Sequence, residues 1–150
     1  MAPSEHQIQS SYFDWARQHP LARRAYAIPN GGKRNLVVAM KLKAEGVRPG
    51  VLDVCLPIPC GGAAGLYIEF KAGRNGLTDE QATEADTLVR DGYAVAVCWD
   101  AGDAIEVTRQ YLAGDLGPCL MLMKRTSGSR RIARPLARDR TGCTGTLAAS

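Results

Sequence analysis

Apolar and polar residues alternate with helical spacing across the first part of the chain. Between residues 4 and 18, the apolar positions that share one side of a helix are Ile8, Tyr12 and Trp15. Ser4 and Gln7 stand three residues apart at the start, which is the spacing of a capping box. The pattern predicts a first helix over residues 4–18, which ends before Pro20.

A second helical pattern follows a short strand and a turn. Residues 25–28 predict the strand, and residues 29–32 have the proline, asparagine and glycine composition of a turn. The second helix is predicted from about residue 33 to residue 45, with Gly46 as its stop. Its apolar side consists of Leu36, Val37, Met40 and Ala44.

Two strand patterns in the middle of the chain predict a β-hairpin. Residues 51–58 and 66–71 are rich in apolar residues, and they flank a turn-forming segment at residues 59–62. Paired residue numbers in an antiparallel hairpin have a constant sum. A turn centred on Gly61 gives a sum of 122, which places Asp53 opposite Glu69.

The following segment predicts a strand, a crossover helix and a parallel strand. Residues 78–91 have a helical pattern in which Thr78 and Gln81 form a second capping box. Residues 93–99 form a continuous apolar run, which is typical of a central strand covered on both faces. A last helix is predicted over residues 103–112. Together these elements predict an α/β fold with a mixed sheet flanked by helices.

Charge divides the chain into a body and a basic tail. Residues 124–150 hold seven Lys or Arg against one Asp, a net charge of +6, which leaves −2 for residues 1–123. The tail is rich in Gly, Ser, Arg and Thr, so we expect a disordered segment or an arm after one domain over residues 1–123. The tail suits binding to a polyanion, and it equally suits a solvated tail without a partner.

The composition excludes several classes of protein. No apolar run approaches the roughly 20 residues that cross a bilayer, and the N-terminus lacks the apolar core of a secretion signal. We therefore expect a cytoplasmic protein with no membrane partner, in a bacterium or a phage-infected cell. The five cysteines have no CxxC spacing, which favours buried thiols over a zinc or redox site.

Charged side chains in the strand at residues 66–71 indicate the chemistry. Because side chains alternate along a strand, Glu69 and Lys71 share one face, and the paired strand brings Asp53 opposite Glu69. Two carboxylates placed opposite each other repel unless a cation lies between them. Oxygen ligands favour Mg²⁺ or Mn²⁺ over zinc. The alternative is a solvent-facing edge strand, since a Glu-x-Lys sequence alone is weak support for a site.

The order of the motifs resembles the VRR-NUC (virus-type replication-repair nuclease) branch of the PD-(D/E)XK nucleases. The resemblance covers about residues 4–113. It rests on Glu5, residues 29–32, residues 46–50 leading to Asp53, Glu69 with Lys71, and residues 77–81. It implies a restriction-endonuclease-like α/β core, metal-dependent phosphodiester cleavage, and homodimers that act on branched DNA such as four-way (Holliday) junctions.

The resemblance also implies roles for individual residues. Asp53 and Glu69 are similar to the metal ligands, with the main-chain carbonyl of Phe70 as a third. Lys71 is similar to the lysine that orients or helps to deprotonate the attacking water. The family usually has proline directly before the first ligand, whereas this chain has Leu52. We expect this difference to affect the backbone angle and not the ligand set.

Two further residues carry a role by resemblance and an ordinary structural role as well. Glu5 is similar to the catalytic acid that completes the metal shell, but an acid also suits the positive end of a helix dipole. Gln81 is similar to the catalytic glutamine that supports the site, but it also stands at the third position of a capping box.

DNA contacts are predicted in a segment that is basic and rich in glycine. The residues are Asn30, Gly31, Gly32, Lys33, Arg34, Lys41, Lys43 and Arg48. Main-chain amides of the turn can approach phosphates closely, and the side chains can neutralise them. A solvated basic helix face is the alternative. Tyr26 and Trp99 are interpreted as core aromatics and not as stacking surfaces.

These features together predict a magnesium-dependent DNA endonuclease that is selective for branched structures such as junctions or flaps. The competing interpretation is a catalytically weak DNA-binding subunit, such as a partner of a helicase or replication protein. A role in defence or transposition would use the same chemistry. We expect a homodimer, because symmetric cutting of a junction needs two sites related by a two-fold axis. The apolar residues 116–123 suit either its interface or an extra core strand.

Overall fold

The helices and strands follow the predicted order. The computed structural model describes residues 1–30 and 35–123, together with the main chain of residues 125–126 and 129–130. The helices are α1 (Glu5–Ala16), α2 (Leu36–Ala44), α3 (Asp79–Arg90) and α4 (Ala101–Leu112), with a short 3-10 helix at Ala22–Arg24. The strands are β1 (Tyr26–Ala27), β2 (Val54–Leu56), β3 (Leu66–Phe70), β4 (Ala94–Cys98), β5 (Leu120–Met123), β6 (Arg125–Thr126) and β7 (Ser129–Arg130).

Five strands form one mixed sheet in the order β1, β2, β3, β4, β5. The first three are antiparallel, and β3, β4 and β5 are parallel. In the hairpin, Val54 pairs with Ile68 and Leu56 with Leu66, so paired numbers have the predicted sum of 122. The α/β fold with a mixed sheet flanked by helices is therefore confirmed, as is the parallel crossover through α3.

The two faces of the sheet carry different partners. On one face, α1 and α4 pack against a core that includes Ile68 and Phe70. On the other face, α3 packs through Leu88 against Leu52 and Val95. Burying each large apolar side chain contributes roughly 1.5–3 kcal/mol. Because side chains alternate along β3, Glu69 lies on the face that α3 covers.

Both predicted capping boxes form, and the one on α3 fixes a residue of the site. The Thr78 hydroxyl accepts a hydrogen bond from the Gln81 main chain at 3.2 Å, and the Gln81 side chain accepts one from the Thr78 main chain at 3.0 Å. Ser4 and Gln7 do the same on α1. The cap holds the first turn of α3, and the Gln81 side chain with it, at one end of β3.

Helix α2 differs from the other three because it does not pack on the sheet. The structure describes all nine of its residues, and none of them is buried. Leu36, Val37 and Met40 are 75%, 76% and 64% exposed. The apolar side predicted for this helix is therefore left uncovered within the described chain.

The apolar residues 116–123 contribute an edge strand. They contain β5, in which Met121 and Met123 are buried while Leu122 is 37% exposed. The extra strand is therefore present, while the interpretation of these residues as a dimer surface stays a prediction. The interpretation of residues 124–150 as a tail stays a prediction: the structure describes only the main chain of β6 and β7 there, and residues 124, 127–128 and 131–150 lie outside the described residues.

The cysteines and Tyr26 differ in how deeply they are buried. Four described cysteines are free thiols: Cys55 and Cys98 are buried, and Cys60 and Cys119 are partly buried. Tyr26 is 50% exposed, so its interpretation as a core residue was wrong. It lies on the two-residue edge strand β1, which no further strand covers in the described sheet. No helix in the described part of the chain is long and apolar enough to cross a membrane.

Candidate active site

The β2–β3 hairpin brings Asp53 to the end of β3. Asp53 directly precedes β2, and its carboxylate Oδ2 accepts a hydrogen bond from the Phe70 main-chain N–H at 2.8 Å. On the other side, the main-chain carbonyl of Asp53 accepts a hydrogen bond from Ile28 N–H at 2.7 Å. Contacts from β1 and β3 therefore fix both the backbone and the side chain of Asp53.

Glu69 and Lys71 form a buried ion pair on the same face. Lys71 Nζ lies 2.9 Å from Glu69 Oε1, and the two side chains are 8% and 2% exposed. The second oxygen, Glu69 Oε2, is buried and has no hydrogen-bond partner among the described residues. An unsatisfied buried oxygen of a charged group is costly, by about 1–3 kcal/mol or more. Because Glu69 also interacts electrostatically with Asp53, this oxygen suits a ligand atom for a cation.

Gln81 connects Glu69 of β3 with Lys71, which directly follows the strand. Its Nε2 donates to Glu69 Oε1 at 2.7 Å, and its Oε1 accepts a hydrogen bond from Lys71 Nζ at 2.8 Å. The same Oε1 also completes the cap of α3 by accepting from Thr78 N–H. One side-chain amide thus makes the contacts of the helix cap and the contacts with Glu69 and Lys71, while the predicted supporting role of Gln81 in catalysis stays a prediction.

Burial makes both carboxylates harder to ionise. Burial, reinforced by the charge of Asp53, raises the pKa of Glu69 to about 7, against the opposing effect of Lys71. Burial also raises the pKa of Asp53, while the hydrogen bond from Phe70 and the charge of Lys71 act to lower it. A cation between the two groups would favour their ionised forms.

The donor set fits a hard divalent cation. Asp53, Glu69 Oε2 and the carbonyl of Phe70 would hold it, and all three supply oxygen. Among the described residues there is no group of three or more His, Cys, Asp or Glu side chains that could hold a metal ion. Mg²⁺ is commonly bound by one or two carboxylates with water and phosphate as further ligands, so two carboxylates suffice.

Glu5 lies near these residues without joining them. It is exposed in the first turn of α1, and its negative charge contributes to the raised pKa of Asp53. This influence places it on the same side of the molecule. Its predicted role as a metal ligand or catalytic acid stays a prediction.

The predicted DNA contacts fall into three groups. Asn30 and Arg48 bind other parts of the chain, since Asn30 Nδ2 donates to the Val51 carbonyl at 3.1 Å and Arg48 pairs with Glu84. Lys41 and Lys43 are exposed on α2, and Lys41 has one contact of 3.9 Å with Glu45. The remaining predicted contacts, Gly31, Gly32, Lys33 and Arg34, lie outside the described residues.

Two residues near the site have contacts that the sequence did not predict. Glu84 stands one turn after Gln81 on α3 and accepts two hydrogen bonds from Arg48, at 2.9 and 2.7 Å. In the sequence, Glu84 stands three residues after Gln81, and this helical spacing indicates that the two side chains lie on the same side of α3. Leu52, which replaces the usual proline, is fully buried against α3. An apolar side chain at this position thus anchors the chain just before Asp53.

Comparison with known proteins identifies the family. The sequence profile of the VRR-NUC domain matches residues 1–100. A solved structure described as a VRR_NUC domain protein is 26% identical to this chain, with a TM-score of 0.65. The alignment covers 76% of this chain and 92% of that one. No curated protein matches the sequence. The profile match over two thirds of the sequence, together with the shared fold, shows that the chain belongs to the VRR-NUC family of PD-(D/E)XK-type nucleases.

Proposed function

We propose that this nuclease is an endonuclease that cuts branched DNA and requires Mg²⁺ or Mn²⁺. The observation that carries the proposal is Glu69 Oε2, a buried carboxylate oxygen without a hydrogen-bond partner among the described residues, in a side chain that pairs with Lys71 and interacts electrostatically with Asp53. A catalytically weak DNA-binding subunit would not need to keep this costly arrangement. The intact set of Asp53, Glu69, Lys71 and Gln81 therefore supports the enzyme.

The chain's own residues hold and orient the reactants. Asp53 and Glu69 would hold the cation through their carboxylates, together with the carbonyl of Phe70. A cation held there would supply polarisation of the scissile phosphate and a lower pKa of a bound water. Lys71 positions the attacking water and offsets the negative charge that develops on the phosphate. Gln81 keeps Lys71 and Glu69 in place through its two hydrogen bonds.

In the reaction, the water oxygen forms a bond to phosphorus while one bridging phosphorus–oxygen bond breaks. The water loses a proton, and the departing oxygen gains one. Glu5 is proposed to help at the open side of the site, where its carboxylate can bind a water molecule. None of these groups becomes covalently attached to the substrate.

Substrate binding is proposed for basic groups around the site. Lys41 and Lys43 are exposed on α2 and can contact phosphates. Residues 31–34 and residues 124–150 supply further basic groups. Asn30, which directly precedes the first of these segments, donates a hydrogen bond to the Val51 carbonyl.

A homodimer is part of the proposal. Each compact domain offers one site, and symmetric cutting of a four-way junction requires two. The exposed apolar residues Leu36, Val37 and Met40 make α2 the best candidate for the interface. A helicase or replication protein could act as a further partner at the same DNA.

Cutting assays test the proposal. Linear, flapped, forked and four-way DNA are incubated with the protein in Mg²⁺, Mn²⁺, Ca²⁺ or EDTA. We expect cutting of branched DNA in Mg²⁺ or Mn²⁺ and none in Ca²⁺ or EDTA. Asp53→Ala and Lys71→Ala should abolish cutting while DNA affinity is largely kept, because other residues contact the phosphates. Cutting without a metal, or an Asp53→Ala variant as fast as the parent, would refute the site.

A further inference from the structure

We propose that Arg48 is a positioning residue that, with Glu84, ties the segment before Asp53 to helix α3. The proposal rests on the proposed function, because it explains how Asp53 is kept in place beside Glu69. It changes the interpretation of Arg48, which was predicted to contact DNA. In this arrangement the guanidinium binds α3 and not the substrate.

Arg48 and Glu84 form a bidentate ion pair. Arg48 Nη1 donates to Glu84 Oε2 at 2.9 Å, and Nη2 donates to Oε1 at 2.7 Å. The Glu84 side chain is 14% exposed and that of Arg48 is 59% exposed. Two parallel hydrogen bonds fix the direction of the guanidinium as well as its distance, which a lysine cannot do. This contact therefore orients the chain that carries Arg48.

Gly50 brings the same segment against the main chain of α3. Its φ is +82°, and a Cβ placed there would lie 2.7 Å from Glu80 Cβ and 2.9 Å from the Glu80 carbonyl oxygen. Only glycine fits this approach without a shift of the helix or the segment. The contact lies one residue before Gln81, so the segment touches the turn of α3 that holds the site.

A third contact fixes the segment on its other side. The Asn30 side chain donates to the Val51 carbonyl, and Leu52 is buried in the core under α3. Arg48, Gly50, Val51 and Leu52 are thus each held, and Asp53 follows directly. The family's usual proline before Asp53 would restrict the backbone by itself. In this chain, contacts with α3 and with Asn30 supply that restriction.

The two interpretations of Arg48 differ in what they predict for Glu84. If Arg48 positions Asp53, replacing Glu84 harms the site as much as replacing Arg48. If Arg48 contacts DNA, removing the Glu84 charge frees the guanidinium and strengthens DNA binding. The neutral variant Glu84→Gln therefore distinguishes them. Arg48→Lys complements it, because lysine keeps the charge and loses the two-pronged contact.

Amide exchange at Phe70 provides a direct measurement. The Phe70 N–H donates to Asp53 Oδ2, so its exchange rate reports whether the carboxylate stays in place. The Ile68 amide in the same strand serves as an internal control. The control variant is Arg17→Ala, which removes another exposed ion pair, with Asp14 at 3.3 Å, away from the site.

The experiment measures exchange in the metal-free full-length chain by NMR, followed by Mn²⁺ affinity by calorimetry. In Arg48→Lys and Glu84→Gln we expect faster exchange at Phe70 with unchanged exchange at Ile68. We also expect about tenfold weaker Mn²⁺ binding, as found for residues that orient metal ligands. Arg17→Ala should change neither quantity.

Two results would overturn the proposal. One is Phe70 exchange in Glu84→Gln at the parental rate, and the other is faster exchange at Phe70 and Ile68 alike, which indicates general loss of stability. Neither depends on cutting. A chain that fails to cut DNA would refute the proposed function, whereas the amide measurement would still decide the role of Arg48.

Discussion

At the scale of single residues, Gln81 shows how a helix cap and the proposed reaction site can depend on one side chain. Its Oε1 serves the cap through Thr78 and the site through Lys71, and its Nε2 holds Glu69. The capping box places the amide before any substrate arrives. The site is therefore preorganised by the start of α3.

Variants of Gln81 and Thr78 separate these two roles. Gln81→Glu keeps an acceptor for Lys71 and for the cap but replaces the donor to Glu69 with a second carboxylate oxygen. We expect cutting to slow by about tenfold or more. Thr78→Ala removes a cap contact and should cost about 1 kcal/mol of unfolding free energy while cutting is kept. Equal loss of cutting in both variants would mean that only the cap matters.

The ionisation of Glu69 predicts a pH effect on the metal-free protein. Unfolded, the carboxyl has a pKa near 4.5, and in the fold its pKa is raised to about 7. Between these values the folded chain keeps a proton that the unfolded chain has lost, so stability falls as pH rises. The contribution is present in full below pH 4.5 and is lost above about pH 7.

Urea unfolding in EDTA between pH 5 and pH 8 measures this effect. The parent chain should lose up to about 1.4 kcal/mol per pH unit through the window. Glu69→Gln cannot titrate, so its slope should be flatter over the same range. A slope in Glu69→Gln equal to that of the parent would show that other groups cause the dependence.

The grouping of Asp53, Glu69 and Lys71 could be predicted because it follows from two local rules. Strand alternation puts Glu69 and Lys71 on one face, and the turn position sets the hairpin register. The contact of Arg48 with Glu84 could not be predicted in this way. It joins residues 36 positions apart on elements of different type, and no periodicity relates them.

At the scale of elements, the connection between β2 and β3 is held against the chain that leads from α4 to β5. Gly61 and Gly62 both have positive φ, of +59° and +85°. A Cβ at Gly61 would lie 2.7 Å from the Leu116 carbonyl oxygen and 2.8 Å from that of Gly114, whereas one at Gly62 would meet nothing within 4 Å. The hairpin turn thus packs against the segment between α4 and β5.

Alanine at these two glycines should therefore have unequal effects. Gly62→Ala should cost roughly 1–2 kcal/mol of unfolding free energy, the usual cost of a left-handed backbone for a residue with a Cβ. Gly61→Ala should cost more, because its Cβ also strikes two carbonyl oxygens. Urea unfolding at one pH compares the two. Equal urea midpoints for the two variants would show that the connection between β2 and β3 moves away from these carbonyl oxygens without a cost in unfolding free energy.

The elements themselves were predicted well where a periodic pattern met a clear stop. Helices α1 and α3 begin at their capping boxes, and β4 matches its continuous apolar run. The surroundings of α2 could not be predicted, because periodicity identifies an apolar side and not what covers it. The edge position of Tyr26 could not be predicted either, because the residues next to it in the sequence do not show how many strands the sheet contains.

At the scale of the whole molecule, the exposed side of α2 predicts how two copies meet. Val37→Glu and Met40→Glu place charge on this side, and Leu122→Glu places it on the edge strand β5 as a control. By light scattering at micromolar concentration, the parent and the control should have about twice the 16.1 kDa mass of one chain. Both α2 variants should be near 16.1 kDa.

A parent mass near 16.1 kDa, kept when junction DNA is bound, would contradict the dimer. The molecule would then nick one strand per encounter. If only Leu122→Glu dissociates the dimer, the interface lies at β5 and not at α2.

The chain segment that carries α2 begins and ends next to the same part of the sheet. Ile28 N–H bonds the Asp53 carbonyl, and the Asn30 side chain bonds that of Val51, so the two ends are closed by hydrogen bonds. Lengthening a closed loop costs only about 0.6 kcal/mol per doubling of its length. We therefore expect that replacing residues 31–45 leaves the sheet and Asp53 in place. If the proposed DNA contacts of α2 are correct, such replacements change substrate preference while Asp53, Glu69 and Lys71 keep their positions.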